Sequence, residues 1–543
     1  MTGAADLLLT NAEVHTLADP DETHEAIAIR DGEIYRVGRA YDLAFLADAG
    51  TETIDLDGRV VLPGFIDAHT HLEMVGRRLV HADLSTADSP ADCISLLRES
   101  ADSEPDLAVG SERDPEHGSE NEHEWVLGYG YDESTWDDAR LLMREDLDAV
   151  SETRPVVAFR EDLHTAAVNS VVLDRLRSEM PNGDVRTDAG GPTGVVVEDA
   201  LGPLFAATTP DREELRDLLR AATARAAELG ITGVHEMVRR SAAPRVYRDL
   251  DSEGALPIRV RLNYWSDHVA ALSEGGLRPN AGSEFVRVGA IKTYTDGSFG
   301  ARTAKLTEPY ADDAGVDTAD ADTDDTDDTG QWVVPPEELR ALVRRADKES
   351  FQLAAHAIGN AAIGATLDAY EAETDTTSPE TARHRVEHAE LLDEELIERF
   401  EEVGAVASMQ PNFLRWADKG GLYDERLGER RRRRTNRFLD LLRSDVPLAF
   451  GSDCMPFGPL YGIHRAVNAP AERQRLPVTD ALRAYTSGAA YAGFDEHRLG
   501  TIEAGKKADL VVLLRSPWEI PEAIEAIDVS LTVVDGRIVH DGR

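Results

Sequence analysis

The stretch from Pro63 to His71, PGFIDAHTH, carries a short apolar run out of a Pro-Gly turn and ends it on two histidines one residue apart. Alternate side chains of a strand share a face about 7 Å apart, so two imidazoles at i and i+2 are able to close on one ion. The same pair also suits a strand end that meets solvent. Taken alone the stretch leaves both readings open, and the rest of the chain has to decide.

Working outward, apolar runs that read as buried strands recur at 231–237, 258–265, 285–294, 351–359, 383–390, 405–412 and 446–453. Between them stand helical patterns such as DREELRDLLRAATARAAELG (211–230) and PPEELRALVRRADKES (335–350), with acidic first turns. With the first run, the count predicts an α/β fold, a (β/α)8 TIM-like barrel. Both ends of the chain are different in texture. Short strands broken by Asp31-Gly32 and Asp57-Gly58 turns open it, and KKADLVVLL and LTVVDGRIVHDG close it. The expectation is a composite β-sandwich domain from 1–60 plus 500–543 around a barrel of 61–71 plus 231–499. The gap 72–230 is far too long for a barrel connection, so it reads as a large inserted domain after barrel strand 1, a substrate or lid domain.

The 543 residues carry a net charge of −46 with only six lysines, at 292, 305, 348, 419, 506 and 507. So acidic a chain repels nucleic acid and anionic membrane surfaces, which argues against both as partners. The charge reads instead as a halophilic solvation device. Two acidic stretches, 103–124 and 311–330, read as solvated loops. The arginine run 430–434 is expected to face carboxylates. Two cysteines are too few for a disulfide framework, no apolar run has membrane length, and the first residues do not look like a signal peptide. The expected location is the cytoplasm. A homodimer is compatible with the sequence and not required by it.

Barrels of this kind gather the carboxyl ends of their strands at one mouth. Here those ends carry His69, His71, Lys292, His356, His388 and Asp453, all metal-ligand types except the lysine. A lysine inside an apolar strand is pushed towards its neutral amine, which adds carbon dioxide to give a carbamate able to bridge two cations. His384 and His388 share strand parity, but only the later one reaches the mouth.

These residues lie in VLPGFIDAHTHL, RHRVEHAELL, LAFGSDCMP and LGTIEAGKKADLVVL, joined by GYGYDESTW, REDLHTAAVNS, GPTGVVVEDA, IKTYTDGSFGARTA and AAHAIGNAA. In these motifs and their order the chain resembles the metal-dependent amidohydrolase superfamily, in its N-substituted formamide deformylase-like branch. The resemblance implies a divalent metal centre, most often two zinc ions, with iron or manganese as alternatives. It would place one ion on His69 and His71 and the other on His356 and His388. Lys292 would bridge, and Asp453 would be both ligand and proton shuttle. The expected reaction is hydrolysis of an amide- or formamide-like C–N bond in a small molecule by metal-activated hydroxide. The alternative enzyme is a mononuclear deaminase, against which the acid-free HAIGNAAIG counts, and the other alternative is a non-catalytic scaffold. Candidate substrate contacts are Asp132, Trp136 and His164 in the insertion, expected to overhang the mouth, and Asp296 and Arg302 after the Lys292 strand, which are also able to pair with each other.

Overall fold

The computed structural model describes residues 3–102, 125–133, 136–161, 164–313, 328–374 and 382–543. The acidic stretch 103–124 and residues 314–327 of the other lie outside them.

Eight parallel strands form one sheet whose spatial order is the chain order. They are β1 (Phe65–Thr70), β2 (Ile231–Val238), β3 (Arg259–Trp265), β4 (Val286–Tyr294), β5 (Leu353–Ala357), β6 (Arg385–His388), β7 (Val406–Met409) and β8 (Leu448–Phe450). Strands covered on both faces read as mostly apolar runs. β2, for example, is buried at all eight positions. The intervening helices follow ordinary capping chemistry. In Glu394–Val403, Asp393 accepts from Leu396 N–H, Leu396, Ile397 and Phe400 are buried, and Gly404 ends the helix at φ 67°. This is the α/β barrel that the strand count predicts.

A different set of bonds joins β8 to β1. The N–H groups of Ser452 and His69 both donate to Asp67 Oδ1, at 2.9 and 3.1 Å, and Asp453 N–H donates to the His69 carbonyl at 2.9 Å. Gly451 is needed at this seam, because a Cβ there would lie 2.4 Å from His69 N.

Two sheets drawn from the chain ends pack as a sandwich. One orders Glu33–Gly38, Ala26–Arg30, Leu7–Thr10 and Glu52–Asp55. The other orders Arg537–Asp541, Val529–Val534, Leu510–Leu513, Val60–Pro63, Glu13–His15 and Thr23–His24. Leu9, Ile27, Ile29, Val61, Leu510, Val512 and Leu531 fill the space between them. Arg259, at the start of β3, ties the sandwich to the barrel through a two-pronged bond to Asp509 at 2.7 and 3.0 Å.

Residues Met1–His71 with Thr223–Arg543 form one compact unit and Leu72–Ala222 a second, the division falling inside the helix Arg212–Glu228. The second unit has its own six-stranded sheet, ordered Val185–Asp188, Gly191–Val197, Thr165–Val168, Val156–Arg160, Val126–Tyr131 and Ala82–Asp83. Among the described residues no helix is long and apolar enough to cross a membrane. The arginine run meets carboxylates: Arg430 with Glu308, Arg432 with Asp424, Arg433 with Glu429 and Arg434 with Glu394.

Candidate metal centre

The carboxyl ends of β1, β4, β5 and β6 and the loop after β8 bring six sequence-selected residues to one place. His69 Nε2 and His71 Nε2 lie 3.7 and 3.3 Å from Asp453 Oδ1, and one donor atom from each of the three falls within 4.8 Å of the others. The ring centres of His356 and His388 are 4.4 Å apart, and His388 is 5.0 Å from His69. Lys292 is 1 % exposed, two residues before Tyr294, whose register partner is His356.

The inward turn of His388 is not what parity dictates. Arg385 and Glu387 take the inner positions of β6, while His384 packs its ring against Tyr370, 4.7 Å away. His388 has the parity of His384, yet its φ of 72° is left-handed and swings the ring into the cluster. Asp453 is left-handed as well, at φ 51°. Such backbone costs a non-glycine residue on the order of 1 kcal/mol, and it is concentrated at sites where geometry matters more than stability.

The donor chemistry fits a divalent cation. Burial pushes His356 down to about 3 and holds His69 and His388 well below the usual imidazole range, so all three are neutral. Burial would raise Asp453, but His69, the hydrogen bond from His71 and Lys292 outweigh it and keep the carboxyl below its ordinary value. Burial also lowers Lys292 to about 8. Two buried nitrogens facing this cluster, Lys292 Nζ and His388 Nδ1, have no hydrogen-bond partner. Buried polar atoms are rarely left so, and the chemistry of both fits a donor to a cation.

The candidate substrate contacts are distributed differently. Asp296 is fully buried and accepts three backbone N–H groups, from Lys305, Ile358 and Gly359, at 2.8, 3.0 and 2.9 Å. Its carboxylate therefore locks the loops that follow β4 and β5. Arg302 does not pair with it, and lies instead 3.7 Å from Asp312 and 3.4 Å from Asp328. In the second unit, Trp136 is inside that unit's own core, its indole N–H donating to the Ala87 carbonyl at 2.8 Å. Asp132 lies 3.3 Å from Arg160, and the exposed His164 lies 3.2 Å from Glu198.

Sequence reasoning missed a polar network inside the barrel. Glu387 Oε2 is 2.6 Å from His69 Nδ1, and Arg385 grips both oxygens of Glu387, at 2.7 and 3.1 Å. The available signal was a pair of opposite charges two residues apart in a buried strand, RHRVEH.

An eight-stranded parallel barrel with histidines, a lysine and an aspartate at its strand ends defines a metal-dependent hydrolase class. The family model described as Amidohydrolase family matches residues 52–540, and the chain belongs to that family. It is accordingly a hydrolase acting on carbon–nitrogen bonds, and the family implies a divalent metal. The chain is 30% identical over 555 residues to the putative amidohydrolase YtcJ of Bacillus subtilis (strain 168), covering 97% of this chain and 98% of that one. It is 27% identical over 575 residues to the N-substituted formamide deformylase of Arthrobacter pascens, covering 100% and 99%. Among solved structures, an uncharacterized metal-dependent hydrolase from Pyrococcus furiosus superposes with a TM-score of 0.75 at 28% identity, covering 94% of this chain and 99% of that one.

Proposed function

We propose that this chain hydrolyses the C–N bond of an amide- or formamide-like small molecule at two divalent ions, zinc in the first instance. His69, His71 and Asp453 would hold one ion, His356 and His388 the other, and a carboxylated Lys292 would link them. The observation that carries the reading is the pair of partnerless buried nitrogens, Lys292 Nζ and His388 Nδ1, facing the three donors His69, His71 and Asp453. The formamide class rests on the similarity to the Arthrobacter pascens deformylase.

A bound ion supplies a water of lowered pKa and polarises the carbonyl. The chain's own part is proton transfer and positioning. Asp453, ionised at neutral pH, takes the proton of the attacking water at a carboxylate oxygen and delivers it to the leaving nitrogen. Asp296 keeps the β4 and β5 loops in place around His356, whose Nε2 donates to the Gly297 carbonyl at 2.9 Å and leaves Nδ1 for the ion. Asp132 and His164 remain candidate substrate contacts.

Elemental analysis of protein purified in high salt without chelator tests the centre. The expected result is two equivalents of metal per chain, falling in Lys292→Ala, with amine release from a panel of amides and formamides. Asp453→Asn should keep metal and lose turnover by about 10²- to 10⁴-fold, the usual share of general base catalysis. One equivalent indifferent to Lys292 would replace the bridged centre with a mononuclear one. No metal even after zinc addition would overturn the centre altogether.

A further inference from the structure

We infer that Glu387 is the positioning residue of the metal centre: clamped by Arg385 and Ser408, it holds the His69 ring so that Nδ1 carries the proton and Nε2 is presented to the ion. The inference rests on the metal-centre reading above and adds Glu387, Arg385 and Ser408, which that reading does not use.

Glu387 is wholly buried, and every group around its carboxylate is a donor. Oε1 receives Arg385 Nε at 2.7 Å, while Oε2 receives Arg385 Nη2 at 3.1 Å and Ser408 Oγ at 2.8 Å. A guanidinium is never an acceptor, so the carboxylate is saturated with hydrogens and is itself only an acceptor. His69 Nδ1, 2.6 Å from Oε2, must then be the donor. With Nδ1 donating to Glu387, Nε2 is the nitrogen left to face Asp453 and to offer a lone pair to an ion.

The same guanidinium also fixes the backbone beneath the ring. Arg385 Nη2 donates to the carbonyl of Ala68, the residue before His69, at 2.6 Å, and Nη1 lies 2.9 Å from His235 Nδ1 on β2. Ring and backbone of His69 are thus indexed to one rigid group on β6, on a different strand from their own.

A purely structural role explains this poorly. Barrel interiors are filled by branched apolar side chains. A buried ion pair seldom stabilises a fold more than apolar residues of equal volume do. Two inner positions of β6 are nevertheless given to Arg385 and Glu387, both 0 % exposed. An apolar pair would fill the space but would leave His69 Nδ1 without an acceptor. His356 has no such need, since the Gly297 backbone carbonyl performs that office.

The test is zinc affinity by chelator competition, with the urea midpoint of the metal-free protein measured in parallel. Glu387→Gln removes the charge gripped by Arg385 and leaves one acceptor oxygen for the four donors that the carboxylate now takes, so the hold on the His69 Nδ1–H is weakened. Glu387→Asp keeps the charge beside Arg385 but withdraws the carboxylate by about 1.5 Å, one carbon–carbon bond. Both should bind zinc about 10- to 100-fold more weakly, the usual consequence of removing a ligand's outer partner. Lowered metal-free stability with wild-type zinc affinity in the folded variants would make Glu387 structural and overturn the inference. A measurement free of variants uses the histidine ring ¹⁵N shifts of the metal-free wild type: a proton on His69 Nδ1 supports the inference, one on Nε2 overturns it. Wild-type protein that binds no zinc removes the metal-centre reading and this inference together, whereas normal wild-type uptake with unchanged variants removes the inference alone.

Discussion

His384 makes a quantitative test of how the barrel wall is held. Its ring is 4 % exposed, accepts the Leu353 N–H through Nδ1 at 3.0 Å, and packs against Tyr370. That bond requires a neutral imidazole, and burial lowers the ring's pKa from 6.5 to about 4. A base whose folded-state pKa is depressed contributes stability that is present above its unfolded value and lost as pH falls through the interval. Above 6.5 the contribution is whole, and below about 4 it is gone. At about 1.4 kcal/mol per pH unit, lowering the pH from about 7 to about 4.5 removes roughly 2–3 kcal/mol through this one residue. In His384→Asn the amide oxygen replaces Nδ1 as acceptor and does not titrate. Urea unfolding of metal-free wild type and variant at both pH values, at one salt concentration, isolates the residue, because the titration of all other groups is common to both. The variant should lose roughly 2–3 kcal/mol less than wild type on acidification. Equal losses, within about 0.5 kcal/mol, would refute the claim that His384 is held neutral by its surroundings.

Other perturbations address the joints around the site. Asp509→Ala strands the buried Arg259 guanidinium with Asp535 as its remaining carboxylate. It should cost about 3–5 kcal/mol in urea, and the double change Arg259→Met with Asp509→Leu much less; equal cost in both would remove the ion pair as the cause. Asp296→Asn turns an amide N–H₂ against backbone donors and should destabilise by about 1–3 kcal/mol. A raised KM with unchanged urea midpoint would instead make Asp296 a substrate contact. Gly451→Ala forces a Cβ to 2.4 Å from His69 N and should cost about 1–3 kcal/mol while lowering metal content. Unchanged metal content in that variant would show that the β1–β8 seam does not position His69.

The barrel was legible because strands buried on both faces are written as apolar runs, and their spacing by helices is regular. The six strand-end residues stood out for a related reason: a histidine, lysine or aspartate closing such a run is conspicuous in one dimension. What stayed hidden depends on backbone angles or on distant partners. Strand parity would have turned His388 outward beside His384, and only its left-handed φ reverses that. Asp296 and Arg302, six residues apart, looked like partners, yet one satisfies three backbone N–H groups and the other meets Asp312 and Asp328. Trp136 looked available to substrate because nothing in GYGYDESTW announces that its indole closes the core of its own unit. The Arg385–Glu387 pair lies in a run read as a buried strand, but nothing there announces its partner His69 on β1.

The contact between His69 and Glu387 also has a consequence for the order of assembly, since it spans 318 residues of chain. The His-x-His segment emerges from the ribosome long before β6 does. Contacts so distant in sequence form late, after intervening segments have paid the entropy of loop closure. Until β6 docks, the His69 ring has no fixed acceptor and turns freely about its own bonds. A truncated chain ending before residue 385 thus retains the motif without its geometry. Capture of an ion at His69 with this ring geometry would then follow the docking of β6.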